Sequence, residues 1–257
     1  MENLFRTKKL AYRLSLFISL LSVLLSVSSP ATSQTPSIKL LAPQFQEALE
    51  KTIPCKKVEV QIEPSREKPT LLKRLVVKLD GVPLGHMTAD HMTLIYEDPV
   101  IDLVRLSRLK EPNLQSYSKN RASILISEKS IERYLEKRAR ELKRKYNAVS
   151  IKFAPPFVEC RFDVPVSEIS PETMKLLEKF VKKSRLEGYA AFQIKAKDNA
   201  LYAFSSKVIV NHFLIPDFIL KEFQTKFNPF DGIPPIKPFH YSLNSVTVQN
   251  KYLFLTN

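Results

Sequence analysis

The sequence predicts an α+β domain built on a mostly antiparallel β-sheet. Apolar and polar residues alternate with period two in several separate segments, which is typical of strands with one buried face. Short turn signals join neighbouring segments, so successive strands are expected to pair antiparallel. Apolar stripes at helical spacing occur singly between pairs of strands. The helices are therefore expected to lie on one face of a curved sheet.

The predicted strands number about nine or ten. Asp80-Gly81 is a turn signal that ends the second strand, and Asp198-Asn199 joins two long strands. Between Met87 and Tyr96, apolar side chains occupy both parities, so that segment shows no clean alternation. A last hairpin is expected around Asn250. The clearest strand segments are 58–62, 71–79, 149–153, 158–166, 189–197, 200–210, 246–248 and 253–255.

Four helices are predicted. The first covers residues 45–53 and ends at Pro54. The second, residues 127–146, has Ser127 as its N-cap and carries one apolar stripe opposite a basic face. The third, residues 170–183, has a proline at its first helical position, and the fourth begins at Pro216.

The first 33 residues have the organisation of a secretory signal peptide. A basic stretch precedes the apolar run Leu14–Val27, and small residues follow it up to Ser33. The run of about 14 apolar residues is shorter than the ~20 needed to span a bilayer. We therefore expect cleavage after Ser33, export to the periplasm, cell envelope or extracellular space, and a single domain over residues 34–257. The alternative is an uncleaved membrane anchor.

The charge balance predicts an anionic partner. The chain carries 40 Lys and Arg against 26 Asp and Glu, a net charge of +14. Removal of residues 1–33 takes away four basic groups and one acidic group, which leaves +11. Outside a cell the natural polyanions are anionic lipid head groups and acidic wall polymers rather than nucleic acid. A basic surface that serves only solubility is the alternative.

Motifs for catalysis, cofactors and metals are missing from the sequence. Four glycines cannot form a dinucleotide-binding or P-loop motif. The histidines form no metal-binding motif, and no serine sits in a G-x-S-x-G turn. We therefore predict a non-enzymatic protein without cofactor. A pair of catalytic carboxylates, as in glycoside hydrolases, stays an open alternative, because such residues can meet in the fold without forming a sequence motif. Cys55 and Cys160 invite a disulfide in an exported chain, but they lie on opposite parities of their strands.

The apolar faces suggest a lipid-binding groove between helices and sheet. The chain has 16 phenylalanines and no tryptophan, and a lipid groove is a core in which an acyl chain replaces some side chains. The predicted groove residues are Ile131, Leu135, Leu142, Phe192, Ile194, Phe204, Val208, Ile219 and Phe223. The basic face of the second helix is expected to dock on an anionic membrane through Arg133, Lys137, Arg140, Lys143 and Arg144.

Three stretches of the chain resemble the LmeA-like phospholipid-binding family of exported bacterial proteins. They are residues 122–164, beginning ASILISEKSIERYLEKRARE, residues 187–211, EGYAAFQIKAKDNALYAFSSKVIVN, and residues 214–255, in which Asn228-Pro229 and a proline-rich link precede the last hairpin. The resemblance implies a TULIP-like elongated domain, with a highly curved antiparallel sheet wrapped around a long helix. It also implies phospholipid binding or transfer without an enzymatic step.

Two other classes of function remain open from the sequence. The same fold with a filled core would make a structural or adaptor protein of the envelope. A hydrolase with an unrecognised site is the third possibility. Lipid that co-purifies with the protein would separate the first class from the other two.

Overall fold

The computed structural model describes residues 38–65, 71–85, 87–141, 148–168, 175, 185–197, 199–216 and 233–257. These residues belong to one compact unit that spans Ser37–Asn257. The predicted signal peptide, most of the predicted third helix and nearly all of the fourth lie outside the described residues.

The larger sheet has six strands, and every neighbouring pair is antiparallel. The last hairpin of the chain pairs with a strand that comes from the middle of the sequence. In sheet order the strands are β1 (Lys57–Pro64), β2 (Leu72–Leu84), β3 (Met87–Glu97), β6 (Lys119–Ser127), β13 (Tyr252–Thr256) and β12 (Ser245–Val248).

The second sheet has five strands and is also antiparallel throughout. In sheet order they are β11 (Phe213–Leu214), β10 (Ala200–Val210), β9 (Arg185–Lys197), β8 (Phe157–Pro165) and β7 (Ala148–Ala154). A separate short pair is formed by β4 (Val100–Ile101) and β5 (Leu114–Ser116).

Two α-helices lie within the described residues. Helix α1 (Ile38–Thr52) packs beside β1, and helix α2 (Glu128–Glu141) lies against β3 and β6 of the larger sheet and β7 of the smaller one. A five-residue π-helical segment, Arg105–Leu109, packs next to α1, and Val166–Glu168 forms a single 3₁₀ turn.

One face of the six-stranded sheet forms the centre of the core. Side chains such as Leu75, Met92 and Ile124 are fully buried there, together with Phe45 of α1. Alternate residues on the same strands are half-buried or exposed, as period-two alternation predicts. The core therefore lies on the side of this sheet that carries both helices.

The predicted turn at Asp80-Gly81 is wrong. Strand β2 continues through it to Leu84, and Asp80 pairs with His91 across to β3. Gly81 has a φ of 65°, a conformation that glycine adopts without steric cost, and the buried positions of β2 change parity there, from Leu79 to Val82. Strand β3 changes parity opposite this point, which explains why apolar residues occupy both of its parities.

The prediction of a mostly antiparallel sheet with few helices is confirmed. The hairpin of β9 and β10 and the hairpin of β12 and β13 have the predicted pairing, with Val246 opposite Leu255 and Val248 opposite Leu253. The strands divide between two larger sheets and a short pair, and thirteen are found in the described part of the chain, more than predicted. Cys55 and Cys160 are both free thiols.

Candidate functional site

Helix α2 is fixed at its start by a network of side-chain hydrogen bonds. The Ser127 hydroxyl accepts a hydrogen bond from the backbone N–H of Ser130 at 3.3 Å, as expected of the predicted N-cap. Asp90 of β3 accepts hydrogen bonds from Ser127 N at 2.6 Å and from the Ser130 hydroxyl at 3.1 Å. These contacts tie the first turn of the helix to the six-stranded sheet.

Two glutamates of α2 bind the outer edge of β7. The Glu132 carboxylate accepts a hydrogen bond from the Ile151 N–H at 2.8 Å, and the Glu128 carboxylate accepts one from the Phe153 N–H. Both N–H groups point away from β8, so without the helix they would form an unpaired strand edge. The only sign of this contact in the sequence is a pair of acidic residues one helical turn apart on the helix that precedes the strand.

The apolar side of α2 meets the apolar face of the five-stranded sheet. Ile131 and Ile194 are buried in the common core cluster, and Leu135 and Phe192 pack against it while half-buried. Burial raises the pKa of the Cys160 thiol on β8 to about 11, and the nearby Glu132 carboxylate adds to the shift. Four of the predicted groove residues thus belong to or pack against one core cluster, two from the helix and two from the sheet, and we call these four the layer between helix and sheet.

Phe204 does not share that layer. On β10 it pairs with Gln193, whose side chain lies on the opposite face of the sheet from Phe192 and Ile194. A bulge between Ser205 and Lys207 then shifts the register. Phe204 and Val208, which are both predicted to line the groove from this strand, therefore lie on opposite faces of the sheet.

Val208 lies beyond the bulge. It pairs with Ala190, so its side chain faces the same side as Phe192 and is half-buried. An extra residue in one strand reverses the parity of everything after it, and period-two reading of the sequence cannot detect it. The remaining predicted groove residues, Leu142, Ile219 and Phe223, lie outside the described residues.

The predicted docking residues that are described lie on the exposed side of α2. Arg133, Lys137 and Arg140 are all exposed, and the Arg140 side chain retains 78% of its accessible surface. Arg140 lies 3.8 Å from the Glu136 carboxylate, a surface ion pair of small energetic value. Lys143 and Arg144 lie outside the described residues.

A shallow depression of about 300 Å³ lies between α1 and β1. Its lining includes Gln46, Glu47 and Glu50, and it contains none of the predicted groove residues. Its other lining residues are Ala42, Pro43 and Val60, so the lining mixes polar and apolar side chains.

His91 stands in a chain of polar contacts on the outer face of the six-stranded sheet. Its Nδ1 lies 2.6 Å from the Asp80 carboxylate and its Nε2 lies 3.1 Å from the Thr93 hydroxyl, the connectivity of a nucleophilic triad. Acyl transfer also needs free N–H donors for the oxyanion. Strand β3 pairs with β2 on one side and β6 on the other, so its N–H groups near Thr93 belong to the sheet ladders. The three side chains link β2 to β3 across the outer face of the sheet.

In the described part of the chain, no three or more His, Cys, Asp or Glu side chains lie close enough together to hold a metal ion. Among the same residues, no helix is both long and apolar enough to cross a bilayer. No family model matches the chain, and neither the curated proteins nor the solved structures contain a significant match.

Proposed function

We propose that this chain is an exported lipid-binding protein that holds acyl chains between helix α2 and the five-stranded sheet. One observation carries the proposal: the central strands of the two sheets differ in how completely their apolar side chains are covered. In the six-stranded sheet, Leu75, Val77 and Leu94 are fully buried. On the five-stranded sheet, Phe192 and Val208 keep part of their surface accessible although they lie on the apolar face.

A partly covered apolar face favours an apolar ligand. Exposure of apolar surface to water is unfavourable by about 25 cal/mol of free energy for each Å². An acyl chain that lies along this face would cover the exposed surface and remove that unfavourable free energy. The amphipathic helix at one edge supplies further apolar contact through Leu135. The TULIP-like arrangement, a curved sheet around a long helix, is part of this proposal.

The exposed basic side of α2 supplies a route to the lipid. Each basic group near an anionic surface contributes about 1 kcal/mol, and this attraction decays within a Debye length of about 8 Å at physiological salt. Arg133, Lys137 and Arg140 together would support weak, reversible docking, which suits a protein that loads and releases lipid.

Lipid analysis of the purified protein tests the proposal. Organic extraction followed by mass spectrometry is expected to find phospholipid bound to the wild-type protein. Phe192→Ser should lower the amount bound, because it removes apolar contact from the layer between helix and sheet. Phe254→Ser is the matched control, because Phe254 is a half-buried phenylalanine on the outer face of the other sheet, and it should retain the lipid.

A filled layer between helix and sheet would instead favour a structural or adaptor protein of the envelope. The fully buried core of the six-stranded sheet is the observation that supports this second function. Wild-type protein that carries no lipid and takes up none from vesicles would support this second function and reject the first.

Export has a test of its own. The mature N-terminus is expected near Gln34, and sequencing of the protein from the extracytoplasmic fraction measures it. An intact Met1 in the membrane fraction would support the anchored form.

A further inference from the structure

The outer face of the five-stranded sheet carries exposed aromatic and aliphatic side chains on its last strands. Tyr202 and Phe204 on β10 are 41% and 40% exposed, and Leu214 on the edge strand β11 is 61% exposed. Cross-strand pairing places Leu214 beside Ile209, and Ile209 beside Tyr189 of β9. All of these side chains lie on the face opposite Phe192, so they belong to one surface.

Two lysines stand among these apolar groups, and the Glu159 carboxylate contacts Tyr189 at the β8 side of the same face. Lys195 pairs with Tyr202 across the strands, and its ammonium lies 5.2 Å from the centre of the Phe204 ring. Lys207 is exposed on the same face, opposite Ala191, because the bulge turns it outward. We call this set the aromatic–basic surface: Tyr189, Lys195, Tyr202, Phe204, Lys207 and Leu214.

The chemistry of this surface fits the boundary between water and a lipid bilayer. Tyrosine and phenylalanine place an apolar ring below the head groups, and a lysine beside them reaches an anionic phosphate. Large exposed apolar groups on a soluble surface are otherwise unfavourable and mark interaction sites when they lie together. The basic side of α2 offers charge without such apolar groups.

We propose that the aromatic–basic surface is a second docking surface, which inserts into the head-group region of a bilayer containing anionic phospholipid. It supplies the part of membrane binding that resists salt, and the basic side of α2 supplies the part that salt screens. The inference rests on the proposed function only for its choice of a membrane as the partner, since docking here needs no lipid held inside the protein.

The absence of tryptophan from the chain allows a direct test. Phe204→Trp places a single indole reporter in the surface, and Leu109→Trp places a control reporter at a comparably exposed position on the π-helical segment. With vesicles of phosphatidylglycerol and phosphatidylcholine, we expect the reporter at position 204 to shift to shorter wavelength and to be quenched by brominated acyl chains. The reporter at position 109 should do neither.

A binding measurement completes the test. Sedimentation with the same vesicles in about 1 M salt, where the Debye length is about 3 Å, isolates the apolar contribution. Tyr202→Ser with Phe204→Ser should weaken binding by roughly tenfold there. Val104→Ser with Leu109→Ser, which removes two exposed apolar groups elsewhere, should leave binding unchanged.

The inference is overturned if the reporter at position 204 is not quenched, or if the variant of the π-helical segment loses binding while the variant of the aromatic–basic surface keeps it. These outcomes are independent of bound lipid in the purified protein. Protein that carries lipid but shows no quenching would reject this surface and leave the proposed function intact. Protein without lipid whose reporter is quenched would support the surface and reject the proposed function.

Discussion

Asn199 and Leu243 are joined by two hydrogen bonds that link the β9–β10 hairpin to the segment before the last hairpin. The Asn199 side-chain oxygen accepts from the Leu243 N–H at 2.7 Å, and the Asn199 N–H donates to the Leu243 carbonyl at 3.4 Å. Asn199 also donates from its side-chain amide to the Tyr241 carbonyl at 3.2 Å. Its φ of 60° is a left-handed conformation that asparagine tolerates better than most residues.

Replacing Asn199 should therefore destabilise the fold for two separable reasons. Asn199→Gly removes the side-chain hydrogen bonds but keeps the left-handed backbone, and we expect a loss of about 2 kcal/mol in the free energy of unfolding. Asn199→Ala adds the cost of a left-handed alanine, for a loss of about 3 kcal/mol. Urea denaturation measures both. Asn250→Ala, in the exposed turn of the last hairpin, is the control and should change stability by less than about 0.5 kcal/mol. Equal stability of all three variants would contradict this role.

The glutamates that cover the edge of β7 predict a change in aggregation. Glu128→Ala combined with Glu132→Ala leaves two N–H groups without acceptors on an open strand edge, so we expect lower stability, by about 2 kcal/mol or more, and faster aggregation. Light scattering during mild heating measures the aggregation. Glu136 lies on the same helix, and its carboxylate forms a surface ion pair with exposed Arg140. The control variant Glu136→Ala should therefore behave as wild type. If the double variant aggregates no faster than Glu136→Ala, the edge is protected in another way.

The shifted pKa of Cys160 predicts an alkaline dependence. Its thiol has a pKa of about 11 in the folded protein, against about 8.5 for an unperturbed cysteine. Between these values the unfolded chain releases the proton while the folded protein keeps it, so the thiol lowers stability as pH rises through that window.

Alkylation with iodoacetamide, followed by peptide mass spectrometry, measures this shift at Cys160. The labelling rate of the native protein should reach its midpoint near pH 11, and the rate in urea should reach it near about 8.5. A native midpoint close to the urea value would show that solvent reaches the thiol freely in the folded protein, which would contradict its desolvation between β8 and helix α2.

The basic side of α2 predicts salt-sensitive docking. Arg133→Glu, Lys137→Glu and Arg140→Glu together should abolish the salt-dependent part of binding to acidic vesicles, because the changes reverse about 1 kcal/mol of attraction at each position. The side chains are exposed, so the thermal midpoint should be unchanged. Lys73→Glu, Arg105→Glu and Arg108→Glu form a control of equal charge on other elements. If both triple variants lose binding equally, net charge rather than this face is responsible.

The sequence was sufficient to predict those structural features that depend on a local pattern of residues. The pairing of the β12–β13 hairpin and the start of α2 at Ser127 both follow from residues within a few positions of each other. The bulge after Ser205 depends on the strand across the sheet, and alternation within β10 contains no information about it. The parity change at Gly81 leaves an irregular apolar pattern in the sequence, which does not distinguish a continuous strand from a turn. The short strands β4, β5 and β11 have two or three residues each, which is too few for any periodicity.

Part of the candidate site was predictable and part was not. Ile131, Leu135 and Ile194 were placed in one layer by the apolar stripes of a helix and a strand. Phe204 was assigned to the wrong face because of the bulge, and that same displacement puts it on the aromatic–basic surface. Contacts made by single polar side chains over long distances, such as Glu132 with Ile151, leave no repeating signal in the sequence.

The insertion of β13 between β6 and β12 has a kinetic consequence. Leu253 pairs with Ile126, so the centre of the larger sheet joins residues from the middle of the chain to residues near 253. Until that late segment arrives, one edge of β6 has no partner and the apolar side chains beside it face solvent. Closing so long a loop is slow and entropically costly compared with forming the local hairpins. The folding rate should therefore be governed by the capture of residues 252–256, and a chain shortened before them would retain its hairpins but fail to reach a cooperative folded state.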